Sequence, residues 1–238
     1  LVKLVLMDVD MTLVSTLGAG ISSLEQAIER RHGVAGPLRE VEFAGRTDRV
    51  IFEDCLARAG LDSSEESVMA LRSTYVARLA GNLSSGWPAS PLPGVVPLLE
   101  RLRGRPEACI GLLTGNWREG AWLKLAASGI DRFFGFGSFA ENGRERHELV
   151  PAALSLARTR SGCSFLPGDV WVVGDTPHDV SCGMRYGFRT LAVATGPYTT
   201  GALEGTGADV VLPDLSSTDE VLSILLGPGS GSGAEAAG

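Results

Sequence analysis

The stretch LVKLVLMDVDMTLV, residues 1–14, decides the fold. Residues 4–7 form an apolar run that reads as a buried strand, and it ends directly on Asp8 and Asp10, with Thr12 two positions further on. Residues i and i+2 of a strand point to the same side. In a parallel sheet, ligands collect just beyond the carboxyl ends of the strands. The stretch therefore sets two carboxylates together at the mouth of a sheet.

Downstream, LVSTLGAG is a turn-rich exit in which Gly18 and Gly20 are candidate hinges. Three helices are expected next. The first carries Ile21, Leu24 and Ile28 and is closed by Gly33. The second is capped by Thr47, with Asp48 in its first turn. The third starts at a capping box of Ser63 and Glu66, with Val68, Leu71, Tyr75 and Leu79 as its stripe. WPASPLPG then reads as a linker.

From there strands and helices alternate. Strands are expected at 109–113, 133–139, 170–173, 189–193 and 209–212, and helices at 95–102, 117–127, 147–158, 177–186 and 218–226. Alternation of this kind predicts an α/β fold, a doubly wound parallel sheet with helices on both faces. Residues 1–15 and 89–226 would form that core, and residues 16–88 an all-helical cap inserted beyond the first strand. The Gly-, Ser- and Ala-rich tail, 227–238, is expected to be disordered.

Composition narrows the class. The chain has 238 residues, 44% hydrophobic and 21% charged, enough for a sizeable core without a disulfide or metal staple. Its four cysteines lie far apart with no metal-ligand spacing and read as reduced thiols. Net charge is -7 with no basic run, which argues against nucleic acid. The longest apolar runs fall short of a membrane span, and the first apolar run ends in acids, unlike a signal peptide. A cytoplasmic protein is expected; its oligomeric state is not legible.

Two further strand ends are polar. Residues 109–113 run into Thr114, Gly115 and Asn116, and residues 170–173 into Gly174, Asp175 and Thr176, with Asp179 in the next helical turn. Asp8, Asp10, Asp175 and Asp179 would repel one another without a cation. Oxygen donors in a chain with 3 histidines point to Mg2+.

Taken jointly and in this order, DVDMT, LLTGN and GDTPHD resemble the first, second and fourth motifs of the haloacid dehalogenase-like hydrolase superfamily, in its branch of phosphatases with a helical cap. FAGRTDRVIF is similar to a cap segment of phosphoglycolate-phosphatase-like members. The resemblance implies a Rossmann-like core and a Mg2+-dependent phosphatase acting on a small phosphorylated metabolite of the phosphoglycolate or sugar phosphate type. It implies that Asp8 is the nucleophile, forming an aspartyl-phosphate, and that Asp10 is the acid/base, its backbone carbonyl also facing the metal. It implies Asp8, Asp10, Asp175 and Asp179 as the metal set, and Thr114, Gly115 and Asn116 as the phosphate-binding group. Asp10 also speaks against dehalogenation, since a halide leaves without a proton.

The third motif departs from the family. The usual lysine is missing from GRERHELVPAAL, where Arg146 stands in its place and Arg144 competes. Arginine keeps the charge and can bridge two oxygens. Lys124 reads as a surface residue of its helix, and His147 and His178 as surface or capping residues. In the cap, Arg46 is the candidate for substrate recognition. Trp117, beside the second motif, could line a pocket, although tryptophan at this spacing more often belongs to a core. A β-phosphoglucomutase-like phosphomutase and a phospho-acceptor or binding protein without turnover are the competing functions.

Overall fold

The computed structural model describes residues 2–35, 38 and 41–227. In chain order the elements are β1 (Lys3–Met7), β2 (Val14–Ser15), α1 (Ala19–His32), α2 (Asp48–Arg58), α3 (Glu65–Ser84), β3 (Ser90–Pro91), α4 (Val95–Arg103), β4 (Ala108–Leu113) and α5 (Arg118–Ala127). They continue with β5 (Gly137–Ser138), α6 (Val150–Ser161), β6 (Val170–Gly174), α7 (Pro177–Arg185), β7 (Arg189–Val193), α8 (Thr200–Glu204), β8 (Val210–Leu212) and α9 (Thr218–Leu226). The tail expected to be disordered lies, beyond Gly227, outside the described residues.

Six strands form a parallel sheet in the order β5-β4-β1-β6-β7-β8. β1 is central, with Met7 in register with Leu112 of β4 and Val173 of β6. That register brings three strand ends side by side, which is why residues 8, 114 and 175 meet. Alternate residues of β1 enter different cores, as the period of a strand requires. Val5 and Met7 pack with Leu98, Leu102 and Leu125, and Leu4 and Leu6 with Ala153, Ala157 and Val172. Helices thus cover both faces, the doubly wound α/β arrangement expected from the alternation of elements.

Helices α1 to α3 bury their own apolar cluster, in which Leu24, Ile28, Phe52, Leu56, Leu71 and Leu79 are nearly inaccessible. Trp117 from the start of α5 belongs to this cluster rather than to a pocket wall. Its ring meets Phe52 edge-on, with centroids 6.1 Å apart, and the Arg72 guanidinium lies 4.4 Å from its centroid.

Several local expectations shift. The third helix of the cap is capped by Ser64, whose hydroxyl accepts from Ser67 N at 3.4 Å, not by Ser63. The strand expected over 133–139 shrinks to Gly137–Ser138, because Asp131–Phe133 turns as a 3-10 helix. The helix expected from 147 begins with a 3-10 turn, Arg146–Leu149. The proline-rich linker is ordered: Ser90–Pro91 pairs antiparallel with Val14–Ser15. The two crossings between sheet and helical block are therefore bonded to each other, and Trp87 Nε1 donates to Thr16 O at 2.9 Å beside them.

Candidate active site

The site begins where β1 ends. Asp8 N donates to Val173 O at 2.9 Å, so the nucleophile candidate is still held by the sheet. The chain then turns sharply. Met11 takes a left-handed φ of 57°, and Met11 N donates to Val14 O at 2.9 Å. A left-handed non-glycine residue costs roughly 1–2 kcal/mol. The turn aims Thr12 at the neighbouring strand, where its Oγ1 donates to Asp175 Oδ1 at 3.0 Å.

Asp8, Asp175 and Asp179 are all buried, and each offers an oxygen within 4.8 Å of the others. Burial first, then the charges of Asp8 and Asp179, raise the Asp175 carboxyl far above its ordinary value. Burial likewise raises Asp179, against the pull of Arg146. A buried set of hard oxygen donors that resist joint ionisation fits a divalent cation. The carboxylate of Asp10 is not part of this cluster; it is turned to the α5 side.

Arg146 is the counterion built into the site. Its Nη2 lies 2.8 Å from Asp8 Oδ1 and 2.5 Å from Asp179 Oδ1, and donates to Leu113 O at 3.1 Å. Burial opposes its charge, but Asp179 and Asp8 outweigh that cost and raise its pKa. Arg144 sits elsewhere. Its side chain is 60% exposed and forks onto Glu53 of α2, with Nη1 donating to Oε1 at 2.5 Å. Of the two arginines, Arg146 alone contacts Asp8 in the structure.

Asp10 is held by two residues of the second-motif segment. Asn116 Nδ2 donates to Asp10 Oδ2 at 2.8 Å, and Lys124 Nζ donates to the same oxygen at 2.6 Å. Lys124 also donates to Asn116 Oδ1 at 2.6 Å, which fixes the amide orientation. Lys124 is only 4% exposed, so its expected place on the surface is wrong. It follows Gly120 and Ala121 on the buried stripe of α5, and that spacing was the available signal. Burial opposes its charge, and Asp10, Tyr75 and Asp48 together raise its pKa. The Asn116 side chain, on which the sequence is silent, also donates to Thr114 Oγ1 at 2.8 Å. Thr114 is fully buried at the strand end, and Gly115 follows it.

The cap seats directly on this loop. Asp48 N donates to Gly115 O at 2.6 Å, and Asp48 Oδ2 accepts from Trp117 N at 2.8 Å. Burial pushes the Asp48 carboxyl up to about 6, with Lys124 opposing. In the sequence Asp48 showed only as a first-turn helix acid. Glycine is required beneath it, since a Cβ at Gly115 would stand 2.3 Å from Arg46 O. Arg46 itself directs its guanidinium to Asp54 Oδ2 at 2.6 Å and to Glu42 O at 3.0 Å. Arg46 stands in the cavity lining, and its charge is already paired within the helical block. His178 packs under Gly45 of the same loop. Between cap and sheet lies a cavity of about 470 Å³ that reaches Asp8, Asp10, Thr114, Arg146 and Asp175.

A buried carboxylate cluster with one arginine thus lies beside a second carboxylate engaged by a lysine, at the strand ends of a doubly wound sheet. The family model described as haloacid dehalogenase-like hydrolase matches residues 5–193, and the chain belongs to that family. Tyrosine-protein kinase PtkA of Mycobacterium tuberculosis is 28% identical over 212 residues, covering 88% of this chain and 68% of that protein. A predicted phosphoglycolate phosphatase from Haemophilus somnus superposes with a TM-score of 0.71 at 18% identity, covering 92% of this chain and 97% of that one. A hydrolase from Pseudomonas syringae gives a TM-score of 0.70 at 18% identity, covering 94% and 99%.

Proposed function

We propose that the chain is a Mg2+-dependent phosphatase that hydrolyses a small phosphate monoester through an aspartyl-phosphate on Asp8. The observation that carries this is Asp8 itself. It faces the cavity between Arg146 and the Asp175 and Asp179 pair, with a second carboxylate, Asp10, two residues on.

Asp8, Asp175 and Asp179 would hold the cation, which when bound supplies charge neutralisation for the phosphoryl oxygens. The backbone carbonyl of Asp10 is the further ligand in this reading. Thr114 Oγ1 and the Gly115 amide bind phosphoryl oxygens, and Arg146 holds the attacking Asp8 oxygen in line. In the first half, a bond forms between Asp8 and phosphorus while the ester P–O bond breaks, and Asp10 gives its proton to the leaving alcohol. In the second half, water attacks phosphorus and releases Asp8, and the water proton returns to Asp10. Lys124 and Asn116 both engage Asp10 Oδ2, so the side chain keeps one orientation through both halves. The substrate is a small metabolite because the cavity is bounded by cap and sheet. A cytoplasmic setting accords with four free thiols.

The test is phosphate release from a panel of monoesters with Mg2+, repeated with Asp8→Asn. Turnover in the parent, loss in the variant and loss on chelation are expected. Full Mg2+-dependent turnover by Asp8→Asn would refute the assignment. Stable phosphorylation without release would favour the phospho-acceptor, and isomer interconversion needing a bisphosphate the mutase. Transfer from ATP to tyrosine would align the chain with its PtkA relative instead.

A further inference from the structure

We infer that the leaving group of the substrate is uncharged and apolar, with room for at least one six-membered ring. This rests on the phosphatase reading and names the substrate class for the same site.

The cavity beyond the strand ends is lined by Leu17, Ile21 and Phe43, which keep exposed surface, with Leu24, Ile51 and Phe52 behind them in the core of the helical block. They come from α1, its entry turn, the loop before α2, and α2 itself. Two of them stand open at the lip: Leu17 is 71% exposed and Ile21 43%. Large apolar groups gathered around the mouth of a cavity mark a surface that a ligand covers. Leu17 is held there by a left-handed φ of 44°, followed by Gly18 at 85°.

Charge at this wall is already used. Among the described lining residues the cations are Arg46, Lys124 and Arg146. Arg46 is paired with Asp54, Lys124 with Asp10, and Arg146 with Asp8 and Asp179. A carboxylate on the leaving group, as in phosphoglycolate, would find no unpaired cation here. A polyol, as in a sugar phosphate, needs several donors and acceptors. Asp48 is the carboxylate on this side, and it already accepts the Trp117 amide. Of the hydroxyl residues in the lining, Thr16, Tyr75 and Thr176 are buried and Thr176 Oγ1 already donates to Asp179, which leaves Ser15 partly exposed. The glycolate or sugar leaving group expected from the cap motif is therefore replaced by an apolar one.

Size follows from volume. An apolar cavity of about 150 Å³ accommodates a benzene ring. A cavity of about 470 Å³ has room for a phosphoryl group and at least one such ring.

The experiment measures calorimetric binding of benzylphosphonate and 2,3-dihydroxypropylphosphonate to the full chain in excess Mg2+, with inorganic phosphate as reference. Neither phosphonate can be hydrolysed, so leaving-group reactivity does not enter. Benzylphosphonate should bind about 70-fold more tightly, which is what burying on the order of 100 Å² of apolar surface gives at about 25 cal/mol per Å². Ile21→Asp, at a half-exposed position, should cut that preference at least ~5-fold. Binding of phosphate with equal affinity for the two phosphonates, or an unchanged preference in Ile21→Asp, overturns the inference and leaves the phosphatase standing. Failure of phosphate and both phosphonates to bind overturns the phosphatase reading itself, and the inference with it.

Discussion

Lys124 Nζ lies 2.6 Å from Asp10 Oδ2, joining the middle of α5 to the turn after β1. The same ammonium is felt by Asp48 at the base of the cap. One buried cation therefore touches the electrostatics of the proposed acid/base and of the cap's seat on the sheet.

Replacing Lys124 with Met removes that steering while keeping the volume of the stem. We expect kcat to fall on the order of 10²-fold, the lower end of what a positioned acid/base contributes. KM should change little, and Lys124→Arg should recover part of the rate. Steady-state kinetics decides; an unchanged kcat in Lys124→Met would mean that Asp10 keeps its place without it.

The two arginines of GRERHELV should separate cleanly. Arg146→Ala leaves buried carboxylates facing one another, and breaking such a pair typically costs about 3–5 kcal/mol. Arg144 forms an exposed pair with Glu53, worth about 0.2–1 kcal/mol. Urea unfolding should show a large loss for Arg146→Ala and a small one for Arg144→Ala. Arg146→Lys should retain more activity than Arg146→Ala. Equal losses in the two alanine variants would contradict the geometry.

Stability of the metal-free chain should depend on pH in an unusual direction. Burial and carboxylate neighbours raise Asp175 from 3.8 to about 8 in the folded state. Between those values the folded chain binds more protons than the unfolded chain, so stability falls as pH rises. The thermal midpoint in chelator should therefore drop from about pH 5 to about pH 8. Mg2+ should raise it most at the alkaline end, where the carboxylates are ionised, by adding about 2.7 kcal/mol of stability at a hundredfold excess over Kd. A metal-free midpoint that rises through this range would show that the cluster is already compensated.

Gly115→Ala tests the seat of the cap. The added Cβ would meet the Arg46 carbonyl, a backbone atom, at 2.3 Å. The cap loop has to lift, breaking the bond between Asp48 N and Gly115 O. We expect at least a ~10-fold loss in kcat/KM with little change in the denaturation midpoint, since the cores of cap and sheet are untouched. Faster proteolysis in the loop before α2 would accompany it. Normal kinetics would show that the contact is dispensable.

The sheet and its strand-end acids were legible because each is a local signal, an apolar run stopping on a polar residue. Asp8, Thr114 and Asp175 needed only the parallel register of β1, β4 and β6 to meet. Arg146 was legible by its position before a helix. Lys124 was not, since its meaning depends on which face of α5 turns toward Asp10. The contact between Asp48 and Gly115 was hidden for the same reason, since it joins segments far apart in the chain. The identity of the helix cap, Ser64 rather than Ser63, and the shortened β5 are boundary effects of the kind that local pattern resolves poorly. The apolar lining assembles from α1, the loop before α2 and α2, so no single motif announced it.

The ribbon of Val14–Ser15 and Ser90–Pro91 has a mechanical consequence. A single-strand tether lets a domain swivel about every backbone bond it contains. Two strands laced side by side resist torsion and bend mainly across their plane. The two connections to the helical block are thereby tied to each other, so any displacement of the block has to bend both of them together. An alcohol leaving the site and the water replacing it would then pass beneath a block whose two connections cannot swing independently.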